Sequence, residues 1–210
     1  LEMADGQVCG VKLASGRAVE CGVFVNAAGP RAALVAAMAG IDISVEARKR
    51  TNFLFDCMDP PEGDLPLMID PTGVWCRPEG KHFLTGCAPS NDPEVAFDDF
   101  EPRHNEFEEI IWPALAERSE NFEAIKPLRF WSGHYAYNKL DQNAVIGPHP
   151  EIGNFLFANG FSGHGLQQAP AVGRALAEMI CFGEYRSLDF STFGYERIIT
   201  NSPVLERCVI

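Results

Sequence analysis

Residues 159–173 read Asn159-Gly160-Phe161-Ser162-Gly163-His164-Gly165-Leu166-Gln167-Gln168-Ala169-Pro170-Ala171-Val172-Gly173. The apolar run Phe155-Leu156-Phe157-Ala158 precedes them, and Arg174 to Ile180 carries helix-forming residues beyond. A strand therefore runs through closely spaced glycines into a helix. Bare backbone at such a turn comes close to something: a phosphate, an oxyanion, an aromatic cofactor, or only the next turn of protein.

Spacing removes two of these. A nucleophile elbow needs G-x-S-x-G, and Gly160-Phe161-Ser162-Gly163-His164 puts histidine where the last glycine belongs. A dinucleotide fingerprint needs G-x-G-x-x-G, and Gly163-His164-Gly165 is followed by Gln168 at the third glycine position. No Walker lysine is present. What survives is general: Gly163 and Gly165 expose N–H groups at a helix N-terminus, where unpaired donors and the helix dipole favour negative charge. The N1–C2=O edge of a reduced flavin is a ligand of that kind. A turn needed only for tight packing is the other reading, and both stay open. Leu166, Ala169, Val172, Leu176, Ala177 and Ile180 are predicted to line one face of the helix, with Pro170 kinking it or delaying its regular start. His164 can serve as acid/base, cofactor contact, cap or plain structural residue.

Outward from this segment, the amino-terminal part repeats the same plan. Gln7 to Leu13 and Arg17 to Val25 read as a hairpin turned by Ala14-Ser15-Gly16, ending in the short strand Val23-Phe24-Val25. Asn26-Ala27-Ala28-Gly29-Pro30 then leads into a helix, with Pro30 in its first turn and Gly40 as its C-cap. A strand, a small-residue turn and a helix form the unit that places ligands at the carboxyl edge of a sheet. Between the two units the texture changes. Thr51 to Cys57, Leu67 to Asp70, Gly73 to Arg77 and His82 to Cys87 are short runs separated by proline and glycine turns, an antiparallel meander. Phe107, Ile110, Ile111, Ala114 and Leu115 share a helical face that Pro113 is expected to kink. In the strand Leu128 to Tyr137, alternation puts Trp131, Gly133, Tyr135 and Tyr137 on one face and Ser132, His134, Ala136 and Asn138 on the other. Such a strand can wall the pocket of an aromatic cofactor or fill a core. The predicted fold is mixed α/β with three segments: 1–45, an antiparallel-sheet segment 46–145, and a return to the first unit over 146–210.

Composition excludes more than it selects. The 210 residues carry a net charge of −12, which disfavours a nucleic-acid partner. Seven cysteines, Cys9, Cys21, Cys57, Cys76, Cys87, Cys181 and Cys208, form no CxxC pair, and their odd number favours free buried thiols over a disulfide framework. No run of eighteen apolar residues exists, so no spanning segment is expected. His82, His104, His134, His149 and His164 show no metal-binding spacing. The opening Leu1 and the strand-like texture after it suggest a chain that starts within a domain.

Asn26-Ala27-Ala28-Gly29, Trp131-Ser132-Gly133, Asp141 followed by Ile146-Gly147-Pro148, and the Asn159 to Gly165 stretch occur in the order found in the D-amino-acid oxidase and sarcosine oxidase superfamily of FAD-dependent oxidoreductases. The sequence resembles that superfamily over nearly its whole length. The resemblance implies part of a Rossmann-like FAD-binding domain interrupted by an antiparallel-sheet substrate domain. It also implies FAD as cofactor, with its phosphate loop in an amino-terminal portion outside this chain. Ala28 and Gly29 would lie close to that cofactor, and Ser162, Gly163, His164, Gly165 and Leu166 would present backbone N–H groups to the flavin. His134, Tyr135 and Tyr137 would face a small-molecule substrate, oxidised at the carbon next to an amine or hydroxyl. Tyr137 to Asn143 with Gly147-Pro148-His149-Pro150, and Gly163 to Pro170, are similar to a branch linked to assembly of mitochondrial respiratory complex I. That branch implies a mitochondrial location and complex I subunits or assembly intermediates as partners. Three departures stand out: His134-Tyr135 where amino-acid oxidases carry a carboxylate-binding arginine, Gln167 where sarcosine oxidases place lysine, and His134 near the position of a flavin-linked cysteine. A flavin fold kept as a non-catalytic assembly scaffold is therefore the alternative expectation.

Overall fold

Three short antiparallel strands open the chain: β1 (Glu2–Ala4), β2 (Gln7–Lys12) and β3 (Ala18–Glu20). The computed structural model describes residues 1–206, so Cys208 lies outside the described residues. The expected Ala14-Ser15-Gly16 turn closes with Gly16 N–H on the Leu13 carbonyl at 2.9 Å. β1 has no sequence signal because all three of its residues are exposed and carry no alternation. The expected return strand is two elements rather than one. Its last part, β4 (Phe24–Asn26), leaves the hairpin for another sheet, where Phe24 N–H donates to the Asn154 carbonyl at 2.8 Å.

A tight turn over Gly29–Arg31 follows, then α1 (Ala32–Ala37). Asn26 sets that turn: its side chain accepts from Ala28 N–H and donates to the Ala32 carbonyl, 3.2 and 2.9 Å away. Ile41 N–H closes back on the Ala36 carbonyl, with Gly40 in the left-handed region as a C-terminal stop.

The long strand β5 (Val45–Cys57) leads into β6 (Met68–Ile69), β7 (Trp75–Glu79) and β8 (His82–Gly86). After a polar loop, a widened helical turn over Phe107–Ile111 continues into α2 (Trp112–Arg118). Pro113 thus lies inside one helical run over 105–118, and the irregularity expected at it takes the form of the widened turn directly before α2. Next come β9 (Ile125–Asn138), β10 (Val145–Pro148), β11 (Phe155–Asn159), α3 (Gly165–Phe182) and α4 (Glu196–Ile199).

Two compact units result. One holds residues 1–47 and the chain from Tyr135 onward; the other holds Arg48–His134. The chain passes between them within β5 and within β9, whereas the sequence places its divisions after residues 45 and 145. In the first unit a three-stranded sheet runs β10-β11-β4, with β11 parallel to β4 in the register Phe155↔Phe24 to Phe157↔Asn26. Phe155 and Phe157 pack one face against Ala32 and Ala36 of α1, and the Tyr195 ring stacks on Phe157 at 5.1 Å. Leu156 and Ile146 meet Val172 and Leu176 of α3 on the other face. The second unit carries a five-stranded sheet, β6-β7-β8-β5-β9, whose core gathers Phe53, Phe55, Phe83, Phe107, Phe122 and Leu115.

Helix α3 runs unbroken through Pro170, with His164 as N-cap residue. Its buried side chains are Val172, Ala175, Leu176 and Glu178. Leu166, Ala169, Ala177 and Ile180 of the expected apolar face are exposed, Leu166 by 90%. The apolar arc of the helix is wider than the part this unit covers, and periodicity alone reports the whole arc.

Candidate functional site

Because β4 and β11 are parallel neighbours, their carboxyl ends open on the same sheet edge. The Ala27-Ala28-Gly29 turn leaves one strand and the Gly160 to Gly165 turn leaves the other. A groove of about 350 Å³ lies there, lined among others by Ala27, Gly29, Asn159, Gly160, Gly165 and Gly173. The two glycine-bearing segments singled out in the sequence thus meet at one site.

Each named residue has a definite place in it. Ser162 is fully buried, with a left-handed backbone at φ 47°. Its hydroxyl accepts from Asn138 N–H at 3.0 Å and donates to the Gly160 carbonyl at 3.3 Å, while its own N–H donates to the Ala136 carbonyl at 3.0 Å. These bonds hold a conformation that otherwise costs about 1–3 kcal/mol. Both hydrogen bonds of the hydroxyl are made within the protein, so Ser162 serves the turn and not a nucleophile role. His164 N–H donates to the Phe161 carbonyl, and its side chain makes no cap bond to α3. The N–H groups of Ser162 and His164 are thus engaged within the protein. Those of Gly163, Gly165, Leu166 and Gln167 have no such partner. The donor set at this helix start is shifted from the expected one, with Gln167 added.

Gly163 has φ 100°, and a Cβ placed there would meet the Tyr135 ring at 2.7 Å. Tyr135 therefore lies directly on the glycine turn. Tyr137 bridges to Phe161, and its hydroxyl accepts from Gln142 Nε2 at 2.7 Å. Ala28 and Gly29, the latter at φ 58°, shape the facing turn. His134 belongs to the second unit. There its ring stacks on Phe100 at 4.3 Å, and Nε2 lies 2.7 Å from the Asp99 carbonyl. Since a carbonyl only accepts, Nε2 carries a proton and donates it to this bond. The structure thus gathers Tyr135 and Tyr137 with the glycine turn and ties His134 to the Asp99-Phe100 loop.

Behind the site lies a buried network that the sequence marks only as one acidic residue in a loop. Asp141, 1% exposed, pairs with Arg197 Nε at 2.7 Å and accepts from Asn138 Nδ2 and Val204 N–H. Arg197 also donates to the carbonyls of Phe193, Asn143 and Ala144. Asn138 thus couples this knot to Ser162 and so to the glycine turn. Asn159 is the other residue the sequence reading passes over; its buried amide lines the groove with no partner at either polar atom.

A more enclosed hollow of about 330 Å³ sits in the second unit among Leu65, Met68, Cys76, Phe83 and Phe122. Burial pushes the Cys76 thiol up to about 12, and Arg118 at the hollow is paired with Asp70, so no reactive group faces it. Among the described residues no three His, Cys, Asp or Glu side chains gather as a metal site, and no helix is long and apolar enough to cross a membrane.

Whether the sheet-edge site fits a flavin dinucleotide can be judged on its own groups. Free N–H donors lie at the start of α3, Gly165 among them lines the groove together with Ala27, Gly29, Gly160 and Gly173, and a buried amide lacks partners there; the fit is good. Mixed α/β architecture with an inserted antiparallel sheet and such an edge defines the fold class of two-domain flavin oxidoreductases. The chain belongs to the FAD dependent oxidoreductase family, whose model matches residues 1–179. It is 40% identical over 207 residues to FAD-dependent oxidoreductase domain-containing protein 1 of Xenopus laevis, covering 92% of this chain and 42% of that protein. The Bos taurus relative of the same name is 40% identical over 205 residues, covering 91% and 42%. The chain spans about two-fifths of the length of these relatives. Among solved structures, L-proline dehydrogenase from P. horikoshii superposes with a TM-score of 0.83 at 26% identity, over 96% of this chain and 53% of that one. Glycine oxidase from Geobacillus kaustophilus gives 0.74 at 19% identity, over 88% and 48%, a likeness of fold.

Proposed function

We propose that this chain is the part of an FAD-dependent oxidoreductase that receives the flavin ring, in a protein that oxidises an amine or amino-acid-type substrate. The observation that carries the reading is the groove where the Ala27–Gly29 turn meets Gly160 and Gly165, at a helix start whose Gly163, Gly165, Leu166 and Gln167 N–H groups have no partner in the protein. FAD, when bound, supplies the acceptor for the hydride leaving the substrate carbon. Ala28, Gly29, Gly163, Gly165 and Leu166 would hold it. The N–H groups of Gly163, Gly165, Leu166 and Gln167 favour negative charge at that edge, and they are fixed by the turn before any charge develops. Ser162 and His164 keep the turn in shape through their bonds to Ala136 and Phe161. Tyr135 and Tyr137 wall the site beside it.

L-proline dehydrogenase and glycine oxidase among the similar folds support an amine-bearing substrate class. The resemblance puts His134-Tyr135 where amino-acid oxidases carry the carboxylate-binding arginine, and the Tyr135 ring lies against Gly163. Together with Gln167 in place of lysine, that favours the second reading, a flavin fold retained for assembly of a larger complex. The link to mitochondrial respiratory complex I, with its subunits or assembly intermediates as partners and a mitochondrial location, rests on the similarity of Tyr137–Asn143 and Gly163–Pro170 to that branch.

The test is the full-length protein, purified and examined for bound flavin, then mixed anaerobically with proline, glycine, sarcosine and hydroxy acids. Bleaching of the flavin by one amine supports catalysis. Stoichiometric flavin that none of them bleaches rejects it in favour of the scaffold.

A further inference from the structure

Asn159 ends β11 with its side chain fully buried, and neither Nδ2 nor Oδ1 has a hydrogen-bond partner. The fold treats its other buried asparagines differently. Asn26 accepts from Ala28 N–H and donates to the Ala32 carbonyl. Asn138 donates to Asp141 and the Asn143 carbonyl, and accepts from Leu140 N–H. An amide left unpaired inside a protein is costly, and an aliphatic residue of similar size would serve β11 better if packing were the only demand. Asn159 also lines the groove shared with Ala27, Gly29 and Gly165, the first residue of α3, whose N–H has no partner in the protein.

Neither end of the amide has a partner in the protein, and this selects the chemistry of the group that would pair with it. A phosphate oxygen accepts only and would satisfy Nδ2 alone. A hydroxyl both donates and accepts, and so can satisfy either end. We infer that Asn159 is a cofactor-binding residue whose amide pairs with alcohol groups of the flavin's ribityl chain. The inference rests on the FAD reading above and names a contact that reading does not include.

The experiment uses the full-length protein freed of flavin and titrated with FAD by fluorescence quenching, for wild type, Asn159→Leu and Asn159→Ala. The unfolding midpoint of each flavin-free form is measured in urea. The expected result is an FAD dissociation constant at least tenfold weaker in both variants, with the Asn159→Leu flavin-free form at least as stable as wild type. Wild-type binding with an unchanged constant in the variants, within twofold, overturns the inference alone. A less stable flavin-free Asn159→Leu protein also overturns it, because the amide is then paired by protein. A wild type that binds no FAD overturns the underlying reading as well.

Discussion

Gly163 answers two demands at once: its backbone sits at φ 100°, and the Tyr135 ring covers the face where a side chain would be. Gly163→Val should therefore destabilise by about 2–5 kcal/mol, combining backbone strain with overpacking. In the Gly163→Val/Tyr135→Ala pair the steric share should disappear and the backbone share remain, which urea denaturation of the four proteins in a double-mutant cycle measures. Loss of flavin in Gly163→Val alone then says nothing about the donors, and the double variant becomes the fair test of binding. Ser162→Ala should cost about 1–3 kcal/mol by leaving Asn138 N–H buried without an acceptor, visible as a lowered urea midpoint. The glycines were legible because spacing alone rules out two motifs and leaves a helix start. Tyr135 on Gly163 was not, since nothing local links residues 28 apart in sequence. Asn159 was equally silent, because an unpaired amide shows itself only once its surroundings are folded.

At the scale of elements, α3 and its tethers dominate. Glu178 accepts from the Ser187 hydroxyl and from Arg186 N–H, and these bonds hold its carboxyl down at about 2. Asp70 is likewise held at about 2 by Thr72 N–H and Arg118 at the turn before β7. Both groups bind protons more weakly folded than unfolded. Their stabilisation is complete above the ordinary carboxylate range and fades as pH falls from about 4.5 towards 2. Urea midpoints measured from pH 7 to 2.5 should drop more steeply for wild type than for Glu178→Gln or Asp70→Asn. Asp141→Ala leaves the Arg197 guanidinium buried without its carboxylate and should cost about 3–5 kcal/mol, seen in thermal and urea unfolding. The strand–turn–helix units and the meander were legible from apolar runs and turn residues. The covered face of α3 was not, because its arc exceeds what one unit buries; nor was the Asp141–Arg197 pair, 56 residues apart.

Over the whole molecule, the first unit is assembled from the two ends of the described chain and the second from the middle. That division was foreshadowed by the change from small-residue turns to proline-broken short runs. The thiols fall out along the same line. Cys9 and Cys181 are exposed and Cys21 half-buried in the first unit, while Cys57, Cys76 and Cys87 are buried in the second. Burial raises all three thiols of the second unit, Cys76 and Cys87 to about 12, which keeps them protonated and slow towards electrophiles. Timed alkylation read by peptide mapping should give two phases among the six described cysteines: Cys9, Cys21 and Cys181 are labelled at once, and Cys57, Cys76 and Cys87 only as the second unit opens. If all six react in a single phase under native conditions, that protection is absent. The chain thus carries a built-in clock, written in sulfur, that times the opening of one half while the other is read as the zero mark.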